Sequence, residues 1–411
     1  MRHRSLLVLT TAIATGALTL SACGSRDKGG NDDNGSNSKA TVVIGVDAPL
    51  TGSLSAIGQG IKNSVDLAVR TANKNNEVKG ITFKTEPLDD QAVPASGQQN
   101  ATTLVADKDV LGVVGPLNSG VAQSMQGVFA RAGLTQVSPA NTNPALSQGD
   151  QWLTGQKKRP FKTYFRTATT DVIQGRFAAQ YAHDDAKKTK AFVVDDKQTY
   201  GVGLSSIFAE EFKHLGGQVV GTDHITVKET DFSSVANKVK NSGADIVYFG
   251  GQYPEGGLLS GQVKSAGAHI PTMGGDGIYD PAFITAAGGT NDGDLATSVG
   301  YPVDQLDSAK TFVKNYAAAG YKDPYAAYGG YSYDAAWAIV QAVKKTVEDN
   351  NGKLPGNARE KVTEAMSKVS FDGVTGKVSF DEYGDTTNKQ LTVYQVRDKA
   401  WKSVKSATFK D

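Results

Sequence analysis

The chain has a single cysteine, Cys23, among its 411 residues. One thiol cannot form a disulfide within a molecule, so the fold carries no structural cross-link. The charge is nearly balanced, with 43 Lys and Arg against 42 Asp and Glu. That balance gives no electrostatic reason to expect a nucleic acid or an acidic polymer as a partner. After residue 23, no stretch of the sequence is apolar enough to cross a membrane.

Catalytic and metal-binding motifs are also missing from the sequence. We find no HExxH, no GxSxG, no phosphate-binding GxxxxGK[ST] and no strand-coupled GxGxxG. Residues 291–294 (NDGD) lack the spacing and terminal Glu of a calcium loop, and we predict a solvated turn there. The five histidines are scattered: His3, His183, His214, His224 and His269. We therefore expect a binding protein with no catalytic residue, no metal and no cofactor, and an enzyme on an α/β scaffold is the less favoured alternative.

The first residues have the pattern of an export signal. Arg2 and Arg4 form a basic start, and residues 6–20 form an apolar segment too short to span a bilayer comfortably. The segment ends in Leu-Ser-Ala-Cys23, which resembles the lipobox of bacterial lipoproteins. In that family the cysteine receives a diacylglycerol and becomes the first residue of the mature chain. We predict a signal peptide over residues 1–22 and lipidation of Cys23.

A polar segment follows the cysteine. Residues 24–39 (GSRDKGGNDDNGSNSK) contain no large apolar side chain, so they cannot contribute to a core. We predict that residues 23–40 form a lipid-anchored flexible tether. The folded body would then be held at the extracellular face of the cell membrane through Cys23.

The body alternates strand and helix patterns, which indicates βαβ units around parallel sheets. It begins with the strand-like residues 41–47 (TVVIGVD), and the pattern restarts near residue 163. The strongest strand pattern, residues 244–250 (ADIVYFG), lies in the second half. We predict two successive α/β halves, each with its own sheet. Residues 376–380 and 391–396 are predicted to form antiparallel strands that complete one of these sheets.

Two loops are candidates for ligand binding. They follow the strands predicted at residues 110–114 and 134–137, and each lies at a strand's carboxyl end, where open α/β sheets bind ligands. Ser119 and Thr142 supply hydroxyls there, next to the backbone N–H groups that begin the following helices. This arrangement suits an anion such as a carboxylate. The alternative, two ordinary turns in which Ser119 and Thr142 cap helices, stays open on the sequence alone.

Several segments, taken in order, resemble the leucine/isoleucine/valine-binding type of solute-binding protein from ABC transporters. The segments are IGVDAPLTG, VVGPLNSG, VSPANTNPAL, DDKQTYGVG, VYFGGQYPEGG, MGGDG and GVTGKVSFDEYGD. The resemblance as a whole covers about residues 42–396. The resemblance implies an α/β, type I periplasmic-binding-protein fold with two lobes, three hinge crossovers and a ligand cleft. It implies a first lobe of residues 41–166 and 300–370 and a second lobe of residues 167–299 and 371–411.

The resemblance also implies roles for individual residues. Ser119, Ala140 and Thr142 match the first-lobe residues that hold the α-carboxylate and ammonium groups of the ligand. Tyr200 matches a cleft tyrosine of the second lobe, with a core tyrosine as the alternative. Asp276 stands where the family has a glutamate that pairs with the ammonium group. The alternative for Asp276 is a turn residue that caps a helix beginning near residue 280.

Some positions depart from the family pattern. Gln252 stands where a second cleft tyrosine is common, and Ile57 replaces an aromatic residue that often covers the side-chain pocket. These departures leave the identity of the amino acid open. We expect an extracytoplasmic subunit that binds a branched-chain or similar amino acid and delivers it to the permease of an ABC importer. A sensor of amino acids or amides with the same fold is the alternative.

Overall fold

The computed structural model describes residues 39–289 and 291–409. The predicted signal peptide, nearly all of the tether and the lipidation of Cys23 lie outside the described residues. Within the described ranges, no helix is both long and apolar enough to cross a lipid bilayer.

A parallel sheet of five strands forms the centre of the first lobe. Its strand order is β2-β1-β3-β4-β5. The strands are β1 (Ala40–Ala48), β2 (Ile81–Asp89), β3 (Val110–Val114), β4 (Thr135–Ser138) and β5 (Tyr164–Arg166). The side chains of β1 and β3 are mostly apolar, and many are β-branched. Both strands are almost completely buried, as expected for parallel strands covered by helices on both faces of the sheet.

Helices from two separate parts of the chain cover this sheet. They are α1 (Ser55–Lys74), α2 (Pro94–Ala106), α3 (Ser119–Arg131) and α4 (Ala145–Gln148), and later α10 (Lys310–Ala318), α11 (Gly329–Asp349) and α12 (Ala358–Met366). The long helix α11 packs on α1 and β3, so the late part of the chain returns to the first lobe.

The second lobe is built on a sheet of seven strands in the order β14-β13-β10-β9-β8-β6-β7. Its strands are β6 (Lys190–Asp195), β7 (Gln218–His224), β8 (Ile246–Gly250), β9 (Thr272–Gly274), β10 (Leu295–Val299), β13 (Gln390–Arg397) and β14 (Ala400–Thr408). Its helices are α5 (Asp171–Gln180), α6 (Thr199–His214), α7 (Ser233–Ser242), α8 (Tyr253–Ser265) and α9 (Pro281–Ala286). Strands β6 to β10 are parallel, and β13 and β14 add an antiparallel edge.

The C-terminal strands differ in part from the sequence-based prediction. Strand β13 pairs antiparallel with β10, as predicted. Strand β12 (Gly376–Ser379) instead joins β11 (Ser370–Gly373) in a separate two-stranded ribbon. The ribbon is held because Asp334 of α11 accepts hydrogen bonds from the backbone N–H groups of Val374 and Thr375, both at 2.8 Å. The edge strand β14 was not predicted.

The solvated turn predicted at residues 291–294 is confirmed only in its middle, where Asp292 is exposed in a turn. Asn291 and Asp294 are completely buried. Asp294 forms an ion pair with Lys264 of α8 at 2.7 Å and accepts the backbone N–H of Thr272 at 2.8 Å. This loop therefore fixes β9 and α8 from within the second lobe.

Three chain segments connect the lobes: those after β5, after β10 and between β12 and β13. Parallel strands place their carboxyl ends at one edge of each sheet, and those edges face the crevice between the lobes. The two candidate loops follow β3 and β4 at this edge, which brings them opposite the loops that follow β6, β8 and β9.

Candidate ligand-binding site

The two first-lobe loops predicted to bind ligand are tied to one another. Ser138 donates its hydroxyl to the carbonyl of Pro116 at 2.8 Å and accepts the N–H of Asn141 at 2.9 Å. The Asn141 amide donates to the carbonyl of Leu117 at 2.8 Å. These hydrogen bonds place the start of α3 beside the loop that follows β4.

The alternative in which Ser119 and Thr142 are helix caps is wrong. The N-cap of α3 is Asn118, and no side chain caps either α3 or α4. The hydroxyl oxygen of Thr142 is buried and has no hydrogen-bond partner among the described residues. The Ala140 carbonyl likewise accepts no hydrogen bond from that part of the chain. The Ala140 carbonyl is therefore free to meet a ligand, whereas the Thr142 hydroxyl lies beside the Asp171 carboxyl and lowers its pKa.

A buried arginine fixes the second of these loops from behind. The Arg166 guanidinium donates to the carbonyls of Asn141 and Asn143 at 3.1 and 2.9 Å. It also forms an ion pair with Asp385 at 2.6 Å, and Gln148 donates to the other Asp385 oxygen at 2.8 Å. The charge of Arg166 is thus matched within the protein.

Asp276 lies across the cleft, in a short 3-10 helix after β9. Its Oδ1 accepts hydrogen bonds from the Gln174 amide at 2.9 Å and the Tyr200 hydroxyl at 2.8 Å. Its Oδ2 accepts the Tyr328 hydroxyl at 2.6 Å. All three donors are neutral, and none of the ion pairs in the described ranges involves Asp276. Burial raises the pKa of this carboxyl, against the lowering effect of these hydrogen bonds.

Two details of Asp276 differ from the sequence-based expectation. The residue is only 1% exposed, so it lies inside the cleft and not at its rim. It does not cap α9, because that role belongs to Asp280, whose carboxylate accepts the N–H of Ala282 at 2.7 Å. The capping alternative for Asp276 is therefore wrong.

Tyr200 combines the two roles that the sequence left open. Its ring belongs to a core cluster of the second lobe, between α5 and α6. Its hydroxyl reaches the cleft, where it donates to Asp276 and accepts the N–H of Gly277 at 3.0 Å.

A second buried carboxyl, which the sequence analysis did not identify, lies beside Asp276. Asp171 begins α5, and its N–H donates to the carbonyl of Thr142 at 2.8 Å. Its Oδ2 is buried and has no hydrogen-bond partner in the described part of the chain. Burial, with the nearby Asp276 charge, raises the pKa of Asp171 to about 8, although Thr142 and Arg166 oppose the shift.

The described lobes are closed on one another. Tyr328 of the first lobe bonds Asp276 of the second, and the Asn143 amide donates to the Thr199 carbonyl at 2.8 Å. The Tyr253 hydroxyl also donates to the Ser53 carbonyl. The enclosed central cavity has a volume of about 10 Å³, which is room for about one water molecule. A larger solute enters only after the lobes separate.

Five of the six predicted ligand-binding residues line this central cavity: Ser119, Ala140, Tyr200, Gln252 and Asp276. Thr142 does not line this cavity and lies next to Asp171. Tyr328 also lines the cavity and was missed, because it is one of many tyrosines in residues 316–333. In residues 39–289 and 291–409, no three His, Cys, Asp or Glu side chains are grouped so that they could hold a metal ion.

Two α/β lobes closed over a buried polar cavity define a two-lobed binding protein with the type I periplasmic-binding-protein fold. The chain belongs to the periplasmic binding protein family, whose model matches residues 41–400. That is a family of extracytoplasmic solute-binding proteins, so a solute-binding role follows from membership.

Individual relatives agree with this assignment. The chain is 32% identical to the Leu/Ile/Val-binding protein homolog 2 of Brucella abortus over 363 residues, covering 88% of this chain and 92% of that protein. The structure of a leucine-binding protein, LivK of Thermotoga maritima, matches with a TM-score of 0.78 and 27% identity, covering 89% of this chain and 98% of that one. A benzoate-bound solute-binding protein from R. palustris shares the fold with a TM-score of 0.74 at 21% identity, covering 90% and 97% of the two chains.

Proposed function

We propose that this protein is the lipid-anchored, extracytoplasmic solute-binding subunit of an ABC importer. It captures a branched-chain or similar amino acid in the cleft and delivers it to the permease. The observation that carries the proposal is the buried Asp276 carboxyl, which lines the closed cavity across from neutral donors on the first lobe, with the buried Asp171 carboxyl nearby.

The ammonium group of an amino acid fits the acidic side of the cavity. A buried carboxylate is costly unless a counter-charge accompanies it, and neither carboxyl forms an ion pair in the described chain. The two oxygens of Asp276 offer about four acceptor positions, of which three are filled. One position on Oδ2 therefore remains for an ammonium N–H, and the Ala140 carbonyl is a further acceptor.

The carboxylate of the same amino acid fits the other side of the cavity. Ser119 is the first residue of α3, where the N–H groups of a helix point outward without intrahelical partners. The Ser119 and Thr142 hydroxyls add two donors. An L-amino acid zwitterion thus meets donors with its carboxylate and acceptors with its ammonium group, and a carboxylate without the ammonium would leave Asp276 uncompensated.

The similarity to Leu/Ile/Val-binding proteins supports a branched-chain or similar ligand. Closure of two hinged lobes over the ligand is a known motion of binding proteins. The closed form would be the one presented to the permease. No step of this cycle changes the ligand chemically, which agrees with a role other than that of an enzyme.

The proposal is tested by calorimetric titration of the purified mature domain with each of the twenty L-amino acids and with benzoate. We expect saturable one-to-one binding of at least one branched-chain or similar amino acid, which is recovered unchanged. Asp231 is fully exposed and lines neither the central cavity nor the outer one. Asp231→Asn protein is therefore the control and should bind the amino acid as tightly as the wild type does. Binding of benzoate with no response to any amino acid would contradict the proposal.

The anchor is tested separately. Lipidation of Cys23 should place the full-length protein in the membrane fraction of the producing cell, because a diacylglycerol adds a large apolar anchor. Cys23→Ala protein should move to the soluble extracellular or periplasmic fraction. Equal membrane recovery of both proteins would rule out the lipid anchor and leave the binding proposal intact.

A further inference from the structure

A second cavity opens outward from the central one. Its volume is about 90 Å³, and it shares four lining residues with the central cavity: Asn118, Ser119, Tyr200 and Gln252. The remaining walls of the central cavity, including Tyr328 and Asp276, are closed and buried. The side chain of an amino acid held at Ser119 and Asp276 therefore extends past Asn118 and Gln252 into the outer cavity.

Asn118 presents an unused amide at this passage. It is the N-cap residue of α3, where asparagine usually accepts a hydrogen bond from the first turn, but its side chain makes no capping bond. Its Oδ1 is buried and has no hydrogen-bond partner among the described residues. A buried amide oxygen without a partner is unfavourable, so a donor from the ligand would stabilise it.

Gln252 presents a second amide from the opposite lobe. It is the N-cap residue of α8, and again its side chain makes no capping bond. Its Oε1 lies over Gly277, next to Asp276, since a Cβ placed on Gly277 would come within 3.1 Å of it. No hydrogen bond of this side chain occurs within residues 39–289 and 291–409. The passage is thus bordered by one free amide from each lobe.

We propose that Asn118 and Gln252 select an amino acid whose side chain carries a short hydrogen-bonding group, a hydroxyl or an amide. This inference rests on the proposed function, because it assumes that the α-carboxylate and α-ammonium groups bind at Ser119 and Asp276. A hydroxyl or amide can donate to Asn118 Oδ1 and can also bond Gln252. A methyl group of the same size leaves both amides without a partner in a closed site.

The outer cavity has both polar and apolar walls. Asp196, Gln198 and Glu255 line it together with apolar residues such as Leu54 and Val93, so the two amides at the passage are the groups that would distinguish a polar ligand side chain from an apolar one. Sites built to hydrogen-bond a ligand group discriminate strongly against analogues that lack it, because their own polar groups are then left unpaired. Discrimination by Asn118 and Gln252 should therefore appear between ligands that have the same shape and differ only in polarity.

The test compares two nearly isosteric pairs, threonine with valine and asparagine with leucine, by calorimetric titration. We expect the polar member of at least one pair to bind on the order of tenfold more tightly. Asn118→Leu and Gln252→Met should each reduce that ratio, and the double variant should bring it near one. Gln98→Met, on the exposed face of α2 and outside both cavities, is the control and should keep the wild-type ratio.

Each result has a defined meaning. Tighter binding of valine and leucine than of their polar counterparts would overturn the inference and leave the proposed function standing. A polar preference unchanged in the double variant, with its thermal unfolding intact, would overturn the assignment to these two residues. If neither the four probe amino acids nor any other amino acid binds, the proposed function itself is rejected.

Discussion

Asp385 and Asp276 are both buried carboxyls between the two lobes, but the protein surrounds them differently. Asp385 faces the Arg166 guanidinium at 2.6 Å and the Gln148 amide at 2.8 Å. Asp276 accepts hydrogen bonds from two tyrosine hydroxyls and one amide. The Asp171 carboxyl is close enough that the two groups repel each other when both are ionised. The first carboxyl has its counter-charge within the protein, and the second has none among the residues that the structure describes.

Under the proposed function, this difference separates a charge that holds the structure together from a charge that binds the ligand. Arg166 and Asp385 join β5 to the segment between β12 and β13, and they fix the loop that carries Asn141 and Thr142. This ion pair holds the loop in place through contacts within the protein itself. Asp171 and Asp276 form no ion pair among the described residues. Under the proposed function, a cationic group of the ligand supplies the missing counter-charge, so the stabilisation appears only when the ligand binds.

The largest effect is expected at the matched pair. Asp385→Asn leaves the Arg166 charge buried without its partner, which should lower the free energy of unfolding by about 3–5 kcal/mol. The comparable change at the unmatched site, Asp276→Asn, should leave stability unchanged or raise it. Urea unfolding of the ligand-free proteins measures both. Similar losses in the two variants would remove the distinction between the sites.

The buried Asp171 carboxyl should also make the stability of the protein depend on pH. The pKa of Asp171 in the folded protein, about 8, lies above the value of about 4 for an unfolded aspartate. The folded state therefore keeps a proton that the unfolded state releases between these values, and stability falls as pH rises through this window. The fall is up to about 1.4 kcal/mol per pH unit.

Urea unfolding of the ligand-free protein at pH 6 and pH 7 measures this dependence. Asp171→Asn removes the titrating group and should flatten the part of the pH profile that this residue causes. The comparison of the variant with the wild type isolates the contribution of Asp171 from that of all other groups. Identical profiles for the two proteins would show that Asp171 does not titrate in this window.

A smaller effect is expected on the donor side of the cavity. Thr142→Val removes a hydroxyl whose one described polar neighbour is the Asp171 carboxyl and which forms no hydrogen bond of good geometry in the described ranges, so stability should change little. If the hydroxyl donates to the ligand carboxylate, binding of the best amino acid should weaken roughly 10- to 100-fold. Titration of Thr142→Val and of the wild type with the same ligand decides the point, and equal dissociation constants would assign Thr142 to the loop alone.

Much of this arrangement could be predicted from the sequence because it is local. Hydrophobic strands followed by polar loops predicted the two sheets and the loops with Ser119 and Thr142. The similarity of MGGDG to the family pattern predicted a cleft position for Asp276. Each of these inferences needs only a short stretch of chain and the rule that parallel strands end at one edge of a sheet.

What could not be predicted depends on contacts between distant residues. Asp171 has the pattern of an ordinary acidic residue in a first helical turn, and only the fold brings it beside Asp276. The buried state of Asp294 depends on Lys264, which is 30 residues away in the chain. Strand β14 exists because β13 offers it an edge, and no local pattern in residues 400–408 distinguishes it from a polar tail.

The central claim is that Asp276 binds the α-ammonium group of an amino acid. The most direct measurement is a cycle of four dissociation constants: valine and its desamino analogue 3-methylbutanoate, each with the wild type and with Asp276→Asn. The account predicts that the substitution weakens valine binding at least about 100-fold, since it removes the partner of a buried charge. The affinity for 3-methylbutanoate should stay the same or improve. An equal loss for both ligands, or no loss for valine, would contradict the claim.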